Sequence, residues 1–368
     1  MRDGFSLSTA LPGAPLHCAA HSHHPWPDVS FAAQQEAWTD AARLLDRKWD
    51  HIFEAVIPKA QAHIARRLSL PDPASVTFAP NTHSFVLRLL SCLPARPRIL
   101  TTSSEFMSFA RQIARLEEDG LVGVTRIATE PFDTFEARFV EAAAGGGHDL
   151  VFFSQVFFDS GARVRALERL VGAVPDPETF IVIDGYHGFM AVPTDVGAVA
   201  SRAFYLAGGY KYAMAGEGVC FLHCPPGYGP RPRDTGWYAG FTALESGAAG
   251  VPYAADGSRF LGATFDASAL YRFNAVQDWL AERSVDSMLE QVRALERRFL
   301  SRTSLTPLIA DESTRGRFLC FRTGQAGAIT QSLADKNILV DHRGDRLRIS
   351  FGIYHSEADV DRLARALG

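Results

Sequence analysis

The chain has 368 residues, of which 47% are apolar and 21% are charged, and its formal net charge is -4 at pH 7. This balance excludes the strongly basic surface that nucleic acids and anionic membranes attract. The length suits one large domain with a smaller satellite rather than one small core.

No segment has the pattern of a membrane span or of a secretory signal. Apolar runs such as residues 179–183 are broken within a few positions, far short of the roughly 20 residues that cross a bilayer. Residues 1–20 lack a basic start followed by a continuous apolar core. The five cysteines are scattered and odd in number, which fits a reducing compartment. We therefore expect a cytoplasmic protein.

An N-terminal arm over residues 3–28 contains four prolines and four histidines and shows no helical or strand period. Its segment His21-Ser22-His23-His24 has three interpretations: a loop that reaches a ligand, a solvated polar loop, or a metal site. The metal interpretation is the weakest, because no acid or cysteine nearby completes a ligand set. We expect no metal.

Two helices are predicted after this arm. Between residues 31 and 55 apolar residues recur every three or four positions, which is the spacing of one buried stripe on an amphipathic helix. The stripe consists of Trp38, Ala41, Leu45, Trp49, Ile52 and Val56. This pattern places both tryptophans in the core. A second helix is expected between Pro58 and Pro71.

A short strand at residues 76–78 leads through a polar turn, residues 79–84, into an apolar helix at residues 85–93. A turn at the start of a helix presents free backbone N–H groups and the positive end of the helix dipole, which suits a phosphate. The alternative is that Asn81 or Thr82 only caps the helix. Both interpretations stay open at this point.

Strands and helices then alternate, which predicts a mostly parallel sheet with helices on both faces. The predicted strands are residues 98–102, 122–127, 150–154, a strand ending at Asp184, 203–206 and 219–223; the helices are residues 105–118, 132–144 and 164–174. Ligands of such sheets collect at the carboxyl ends of the strands. Ser103, Ser154 and Asp184 lie at these ends.

The remaining third of the chain predicts a second unit. Residues 225–257 are rich in Gly and Pro and should form an irregular excursion that serves as a lid or a dimer contact. Beyond it a helical stripe runs from residue 276 to residue 299. It is followed by strands near residues 318–321, 338–341 and 347–351 and by helices at residues 326–335 and 357–367, the last with a capping box at Ser356 to Asp359. Cys220 and Cys224 are predicted to lie in a strand and at its end rather than to bind zinc, because a single Cys-x-x-x-Cys pair is a weak zinc signal.

Two successive strands deliver an acid and an amine. Asp184 ends one strand, and Lys211 follows the next within a glycine- and tyrosine-rich segment. Pyridoxal phosphate (PLP) requires an amine that holds it covalently and an anion beside its ring nitrogen, so that the ring stays an electron sink. A surface lysine and a turn-forming Asp-Gly are the alternatives for each residue alone. Together the two residues favour a PLP site.

The run Asp184-Gly185-Tyr186-His187, followed by Tyr210-Lys211-Tyr212 and Gly216-Glu217-Gly218, resembles the PLP signature of the class V aminotransferase superfamily, and within it kynureninase. The resemblance extends over most of the chain. It implies an α/β fold-type I PLP enzyme, whose large domain has a mostly parallel mixed sheet and whose small α+β domain combines the C-terminal part with the N-terminal segment. The implied units are residues 1–55, an N-terminal arm and helix that pack with the small domain, residues 56–270, the large PLP-binding domain, and residues 271–368, the C-terminal small domain. The resemblance also implies a homodimer with shared active sites.

The resemblance also implies roles for individual residues. Lys211, Asp184 and His187 are the implied catalytic residues. The implied cofactor-binding residues are Asn81, Thr82, Phe106, Ser154, Asp184, His187, Tyr210, Lys211, Trp237 and Thr264. Arg348 matches the arginine that grips a substrate α-carboxylate, for which its planar fork is suited, and His21 and Ser22 are implied to contact the substrate.

Two stretches depart from the kynureninase pattern, namely residues 19–24 and 264–266. Both line the substrate side of the implied site, so the substrate stays open while the cofactor assignment stands. We expect a PLP-dependent enzyme acting on an α-amino acid, by kynureninase-like hydrolytic Cβ–Cγ cleavage or by transamination. The alternatives are a class V lyase or desulfurase acting on another amino acid, and a non-catalytic binding protein of the same fold.

Overall fold

A computed structural model describes residues 2–9, 11–227, 230–243 and 250–368. Its helices are α1 (Ser6–Thr9), α2 (Val29–Leu44), α3 (Lys48–His51), α4 (Ile57–Leu68), α5 (Thr82–Cys92), α6 (Met107–Glu118), α7 (Phe132–Ala144), α8 (Leu167–Gly172), α9 (Ser268–Trp279), α10 (Val285–Leu300), α11 (Ala326–Asp335) and α12 (Glu357–Leu367). The excursion predicted at residues 225–257 lies partly outside the described residues.

The strands are β1 (Leu16–His17), β2 (Val76–Ala79), β3 (Arg98–Thr102), β4 (Gly123–Ile127), β5 (Leu150–Ser154), β6 (Phe180–Asp184), β7 (Phe204–Gly208), β8 (Cys220–His223), β9 (Leu319–Arg322), β10 (Ile338–Leu339), β11 (Asp341–Arg343) and β12 (Arg346–Ile349).

Seven of these strands form the main sheet, in the order β2-β8-β7-β6-β5-β3-β4. Neighbours from β4 to β7 run parallel, whereas β8 runs antiparallel to both β7 and β2. Every residue of β5, β6 and β7 is buried, as expected for central strands that helices cover on both faces. The predicted mainly parallel sheet is confirmed.

The register of the central strands places the candidate residues at one edge. Ser154 pairs with Asp184, and Asp184 pairs with Leu206. Parallel strands end at the same edge of a sheet, so the segment after β7 that contains Lys211 begins beside the end of β6.

The C-terminal strands and the N-terminal arm form smaller sheets. The strand predicted at residues 338–341 is wrong as a single element, because β10 pairs in parallel with β1 while β11 pairs antiparallel with β12. β12 also pairs with β9. The capping box of α12 is present: Ser356 Oγ accepts from the backbone N–H of Asp359, and the Asp359 carboxylate accepts from the N–H of Ser356.

The single helical stripe predicted between residues 31 and 55 is wrong in its first half, although Ile52 and Val56 are buried and Trp49 packs against the core as predicted. α2 ends at Leu44, and Leu45 has a φ of 50°, so the apolar residues beyond it no longer share a face with those before it. Trp38 is 73% exposed and Leu45 is 69% exposed. Instead α2 buries the small residue Ala33 and the polar Asp40, whose carboxylate accepts from the hydroxyl of Tyr271 on α9.

Three other helix predictions had the wrong extent. The stripe over residues 276–299 is divided between α9 and α10, and the helix predicted at residues 164–174 is limited to α8. α5 begins at Thr82, three residues before its predicted start. No helix within the described ranges combines the length and the apolar character that crossing a bilayer requires.

Candidate active site

Lys211 lies just beyond the carboxyl end of β7 and is 4% exposed. Its Nζ is 2.8 Å from Nε2 of His187 and lies over the rings of Tyr186 and Phe106, at 5.0 Å and 5.1 Å from their centroids. Burial lowers the pKa of Lys211 below its ordinary value, and the nearby charge of Arg348 acts in the same direction, although Asp184 opposes both. The amine is therefore more readily neutral, which is the nucleophilic form.

Asp184 ends β6 and is also buried. Its Oδ1 accepts a hydrogen bond of 2.9 Å from the backbone N–H of Tyr186. Burial raises the pKa of Asp184 above its ordinary value. A cationic ring nitrogen placed beside this carboxylate would reverse that shift, because an opposite charge favours the ionised form.

Asp184 and Lys211 face one cavity of about 280 Å³ at the carboxyl edge of the sheet. Eight of the ten predicted cofactor-binding residues line it: Asn81, Thr82, Phe106, Ser154, Asp184, His187, Tyr210 and Lys211. The other lining residues are Pro80, Ser108, Phe158, Tyr186, Glu217 and Gly218. The structure thus brings together residues from segments that are far apart in sequence.

The start of α5 forms one wall of the cavity. Asn81 caps this helix, since its Oδ1 accepts from the backbone N–H of Ser84 at 3.0 Å. The first N–H groups of a helix have no partner within it, and they favour an anion together with the helix dipole. The capping role and the predicted phosphate site are therefore compatible. Glu217, which is 60% exposed at its side chain, adds a negative charge to the lining.

Tyr186 was assigned no role in the sequence analysis, yet its ring packs under Lys211 and tilts against that of Tyr210, with centroids 4.9 Å apart. Gly208 makes this placement possible, because a Cβ there would lie 2.1 Å from Tyr186 Oη. The glycine pair before Tyr210 was the sequence signal of this close approach.

Glu105 was also missed, and it lies behind the cavity with 3% exposure. Its carboxylate accepts from Thr102 Oγ1 at 2.6 Å and from both the backbone N–H and the hydroxyl of Ser154. Burial raises the pKa of Glu105 to about 8. The carboxyl group joins the ends of β3 and β5 and engages the hydroxyl of Ser154, which was predicted to bind the cofactor.

Five predicted residues do not line this cavity. Trp237 and Thr264 bond to each other, with 3.2 Å between Trp237 Nε1 and Thr264 Oγ1, and Trp237 is 46% exposed. His21 and Arg348 both bond to Asp341. Ser22 pairs with the ring of the neighbouring His23. In the described part of the chain no cluster of three or more His, Cys, Asp or Glu side chains is arranged to hold a metal ion.

Comparisons with known proteins agree with this geometry. The family model described as aminotransferase class V matches residues 45–363. No curated protein matches significantly. A solved structure of a lysine-to-alanine mutant of C-DES, with glycine covalently linked to the PLP cofactor, has a TM-score of 0.82 at 16% identity and covers 100% of this chain and 99% of its own.

Two further solved structures share the fold. The apo cysteine desulfurase from Thermococcus onnurineus NA1 has a TM-score of 0.82 at 15% identity, covering 99% of this chain and 96% of its own. The S-sulfonic acid form of the cysteine desulfurase CsdA from Escherichia coli has a TM-score of 0.77 at 16% identity, covering 100% and 97%. At these identities the likeness establishes a common fold.

The residues around the cavity fit PLP. A buried amine is available for the covalent link, a carboxylate for the ring nitrogen, an aromatic ring for stacking, and the start of α5 for the phosphate. These are the groups that the cofactor requires.

The lowered pKa of Lys211 predicts unusual amine reactivity. In protein stripped of PLP, half-maximal acylation of Lys211 should occur at a lower pH than that of Lys336, which is exposed, because the neutral amine is the reactive form. Trace labelling with acetic anhydride followed by peptide mass spectrometry measures the extent of acylation of each lysine at each pH. Each curve is normalised to its own plateau at high pH. Coincident curves would contradict the prediction.

Proposed function

This chain belongs to the class V aminotransferase family, and we propose that it is a PLP-dependent enzyme that acts on the carbon bearing the amino group of a small amino compound. The observation that carries this proposal is the buried Lys211 amine, 2.8 Å from His187, in one cavity with Asp184. PLP, when bound, supplies an electron sink for the charge that develops at that carbon.

Lys211 has two roles in this proposal. Its amine would hold the cofactor, and the free amine would take the proton from the substrate carbon as general base. Burial among Tyr186, Phe106 and His187 keeps water from this amine. His187, whose own pKa is held well below its usual range by burial and then by Lys211, stays neutral and orients Nζ.

Other residues of the cavity position the cofactor. Asp184 holds the ring nitrogen in its charged form. The N–H groups at the start of α5 and the hydroxyl of Tyr210 would hold the phosphate, and Phe106 would pack against the ring. His187 and Asp184 come from one short segment, so the anion and the group that orients the amine are fixed by the same turn.

Two reactions of an α-amino acid are the first specific candidates, namely kynureninase-like hydrolytic Cβ–Cγ cleavage and transamination. Both begin with proton removal by Lys211, and they differ in the steps that follow. The segments that depart from the kynureninase pattern lie outside the cavity lining of this chain, so the residues shared by both reactions carry the proposal.

A desulfurase that depends on a cysteine nucleophile is less favoured. None of the five cysteines lines the cavity. Burial raises the pKa of the Cys220 and Cys320 thiols to about 12, which keeps them protonated and unreactive at neutral pH. A lyase that uses only PLP and Lys211 remains the alternative of this class.

A non-catalytic binding protein of the same fold is the alternative from a different functional class. Such a protein has no need of a buried amine with a lowered pKa, whose burial costs stability. The retention of Lys211 with its neighbours Asp184 and His187 therefore favours catalysis.

We also propose a cytoplasmic homodimer with shared active sites, in which Trp237 and Thr264 reach the cavity of the partner. These residues are bonded to each other and do not line their own cavity. Phe241, 43% exposed, packs beside Trp237 and extends the apolar surface. Light scattering should give twice the chain mass of 40.2 kDa. The mass of a single chain would contradict shared sites.

Lys211→Ala should abolish covalent fixation of PLP. Borohydride treatment of the wild-type holoprotein should attach PLP to the chain at Lys211, because the amine held beside the bound cofactor forms the reducible link. Mass spectrometry of the reduced protein measures the attachment. Lys336→Ala is the matched control and should label as the wild type does. Undiminished labelling of the Lys211→Ala variant would show that Lys211 is not the residue that holds PLP covalently.

The reaction is tested with L-kynurenine and a panel of L-amino acids. Kynureninase-like chemistry should release anthranilate and alanine from L-kynurenine, and transamination should release a keto acid from another amino acid. Either activity should fall by at least about 10³-fold in Lys211→Ala, because the general base is lost. Sulfide from L-cysteine would indicate the lyase alternative. A PLP-loaded protein without product from any of these compounds would count against the two α-amino acid reactions.

A further inference from the structure

The guanidinium group of Arg348, implied to grip a substrate carboxylate, is already bound within the protein. Its Nε donates to Asp341 Oδ1 at 2.8 Å and its Nη2 to Asp341 Oδ2 at 2.5 Å. Its Nη1 donates to the backbone carbonyl of Phe158. Each of the three nitrogens thus has a protein acceptor. The side chain is 3% exposed and does not line the cavity.

Asp341 lies directly opposite Arg348 across the β11–β12 hairpin. The two oxygens of its carboxylate meet the fork of the guanidinium side-on, which is the arrangement that a bound carboxylate adopts with arginine. A substrate carboxylate and the Asp341 carboxylate would therefore require the same donors.

His21, from the N-terminal arm, holds Asp341 in this position. Its Nε2 lies 2.9 Å from Asp341 Oδ1 and its Nδ1 lies 2.8 Å from the hydroxyl of Ser350. The Asp341 carboxylate can only accept, so Nε2 of the neutral ring donates to it and Nδ1 accepts from the Ser350 hydroxyl, whose Oγ also accepts from the backbone N–H of His21. The ring stacks on Phe318, with centroids 4.8 Å apart.

The charges of the Arg348–Asp341 pair cancel. Arg348 contributes one positive charge and Asp341 one negative charge. Burial, followed by the charge of Arg348, lowers the pKa of His21 to about 4, so the imidazole is neutral at pH 7. Arg343, which is 49% exposed at its side chain, adds a positive charge with its Nη2 at 3.6 Å from Asp341 Oδ2, but a substrate carboxylate that approaches Arg348 finds no vacant bidentate donor there.

We propose that Asp341 is a specificity-determining residue that supplies an internal carboxylate to Arg348, so that a carboxylate on the reacting carbon adds little to substrate binding. The substrate class is then small primary amines, including amino acid derivatives whose carboxyl group is blocked or absent. Free α-amino acids bind by displacing Asp341 from Arg348. This inference rests on the proposed PLP function and narrows its substrate.

The opposite role for Asp341, that of orienting Arg348 for a substrate carboxylate, makes the reverse prediction. If Asp341 only orients the guanidinium, its loss weakens the binding of carboxylates. If Asp341 competes with them, its loss strengthens their binding, because the buried guanidinium then lacks an anionic partner. The sign of the change separates the two roles.

The experiment uses the PLP-loaded protein and two compounds that differ only in the carboxylate, L-alanine and ethylamine. Each is titrated while the visible absorbance of the cofactor reports binding. In the wild type the two half-saturation concentrations should lie within about 10-fold of each other. In Asp341→Asn the value for L-alanine should fall by about 10-fold or more, the effect of one charge-assisted hydrogen bond, and the value for ethylamine should not change.

Two further variants complete the test. Asp345→Asn, at the turn of the same hairpin and 58% exposed at its side chain, is the matched control and should behave as the wild type does. In the double variant Asp341→Asn/Arg348→Gln the gain for L-alanine should disappear, because that gain requires the free guanidinium.

Several outcomes would overturn the inference. These are wild-type binding of L-alanine more than about 10-fold tighter than that of ethylamine, weaker L-alanine binding in Asp341→Asn, and a holoprotein that responds to neither compound. If the variants do not fold, the ratio of the two half-saturation concentrations in the wild type still shows whether the carboxylate adds to substrate binding. A protein that takes up no PLP would instead contradict the proposed function on which the inference rests.

Discussion

Burial of one amine at the carboxyl edge of a parallel sheet is the constraint on which the rest of the structure depends. A charged ammonium group in an apolar site is costly, and the cost is avoided when the group gives up its proton. The surroundings of Lys211 meet this requirement, because the rings of Tyr186 and Phe106 and a neutral His187 replace water around Nζ. The fully buried strands β5, β6 and β7 then provide a rigid base for the cavity.

Two aspartates near the site have pKa values shifted in opposite directions, because their surroundings differ. Asp184 has a single hydrogen bond from a backbone N–H, and burial raises its pKa. Burial also acts on Asp341, but hydrogen bonds from His21 and Arg348 outweigh it and hold the pKa of Asp341 well below its usual range. A cationic partner for Asp184 would come with the cofactor ring, whereas Asp341 already has a cationic partner in Arg348.

Much of the sheet and of the cavity was predictable because the signals were local. β3 and β5 have the predicted bounds, since each is an apolar run between a turn and a polar strand end. Asp184 and Lys211 follow successive strands, and parallel register brings them to one edge. The stripe of α2 failed because the positive φ of Leu45 changes the direction of the chain. Nothing in the local pattern marks such a break.

The interactions that were missed join segments that are far apart in sequence. The hairpin places Asp341 opposite Arg348 within eight positions, and a search for opposite charges across that hairpin would have found the pair. The contact with His21 comes from the other end of the chain, and no periodicity or spacing encodes it. Glu105 was missed for a related reason, because its partner Ser154 lies on a strand that is not adjacent to it in sequence.

The pairing of β1 with β10 sets an order of events during synthesis. Leu16 is synthesised more than 300 residues before its partner Ile338, so the arm stays unpaired while the residues of the central sheet are made. The contact of His21 with Asp341 likewise requires that residue 341 has been made. Non-local contacts of this kind form slowly. The cluster of His21, Asp341 and Arg348 is therefore completed after the segment that contains Lys211 has been made.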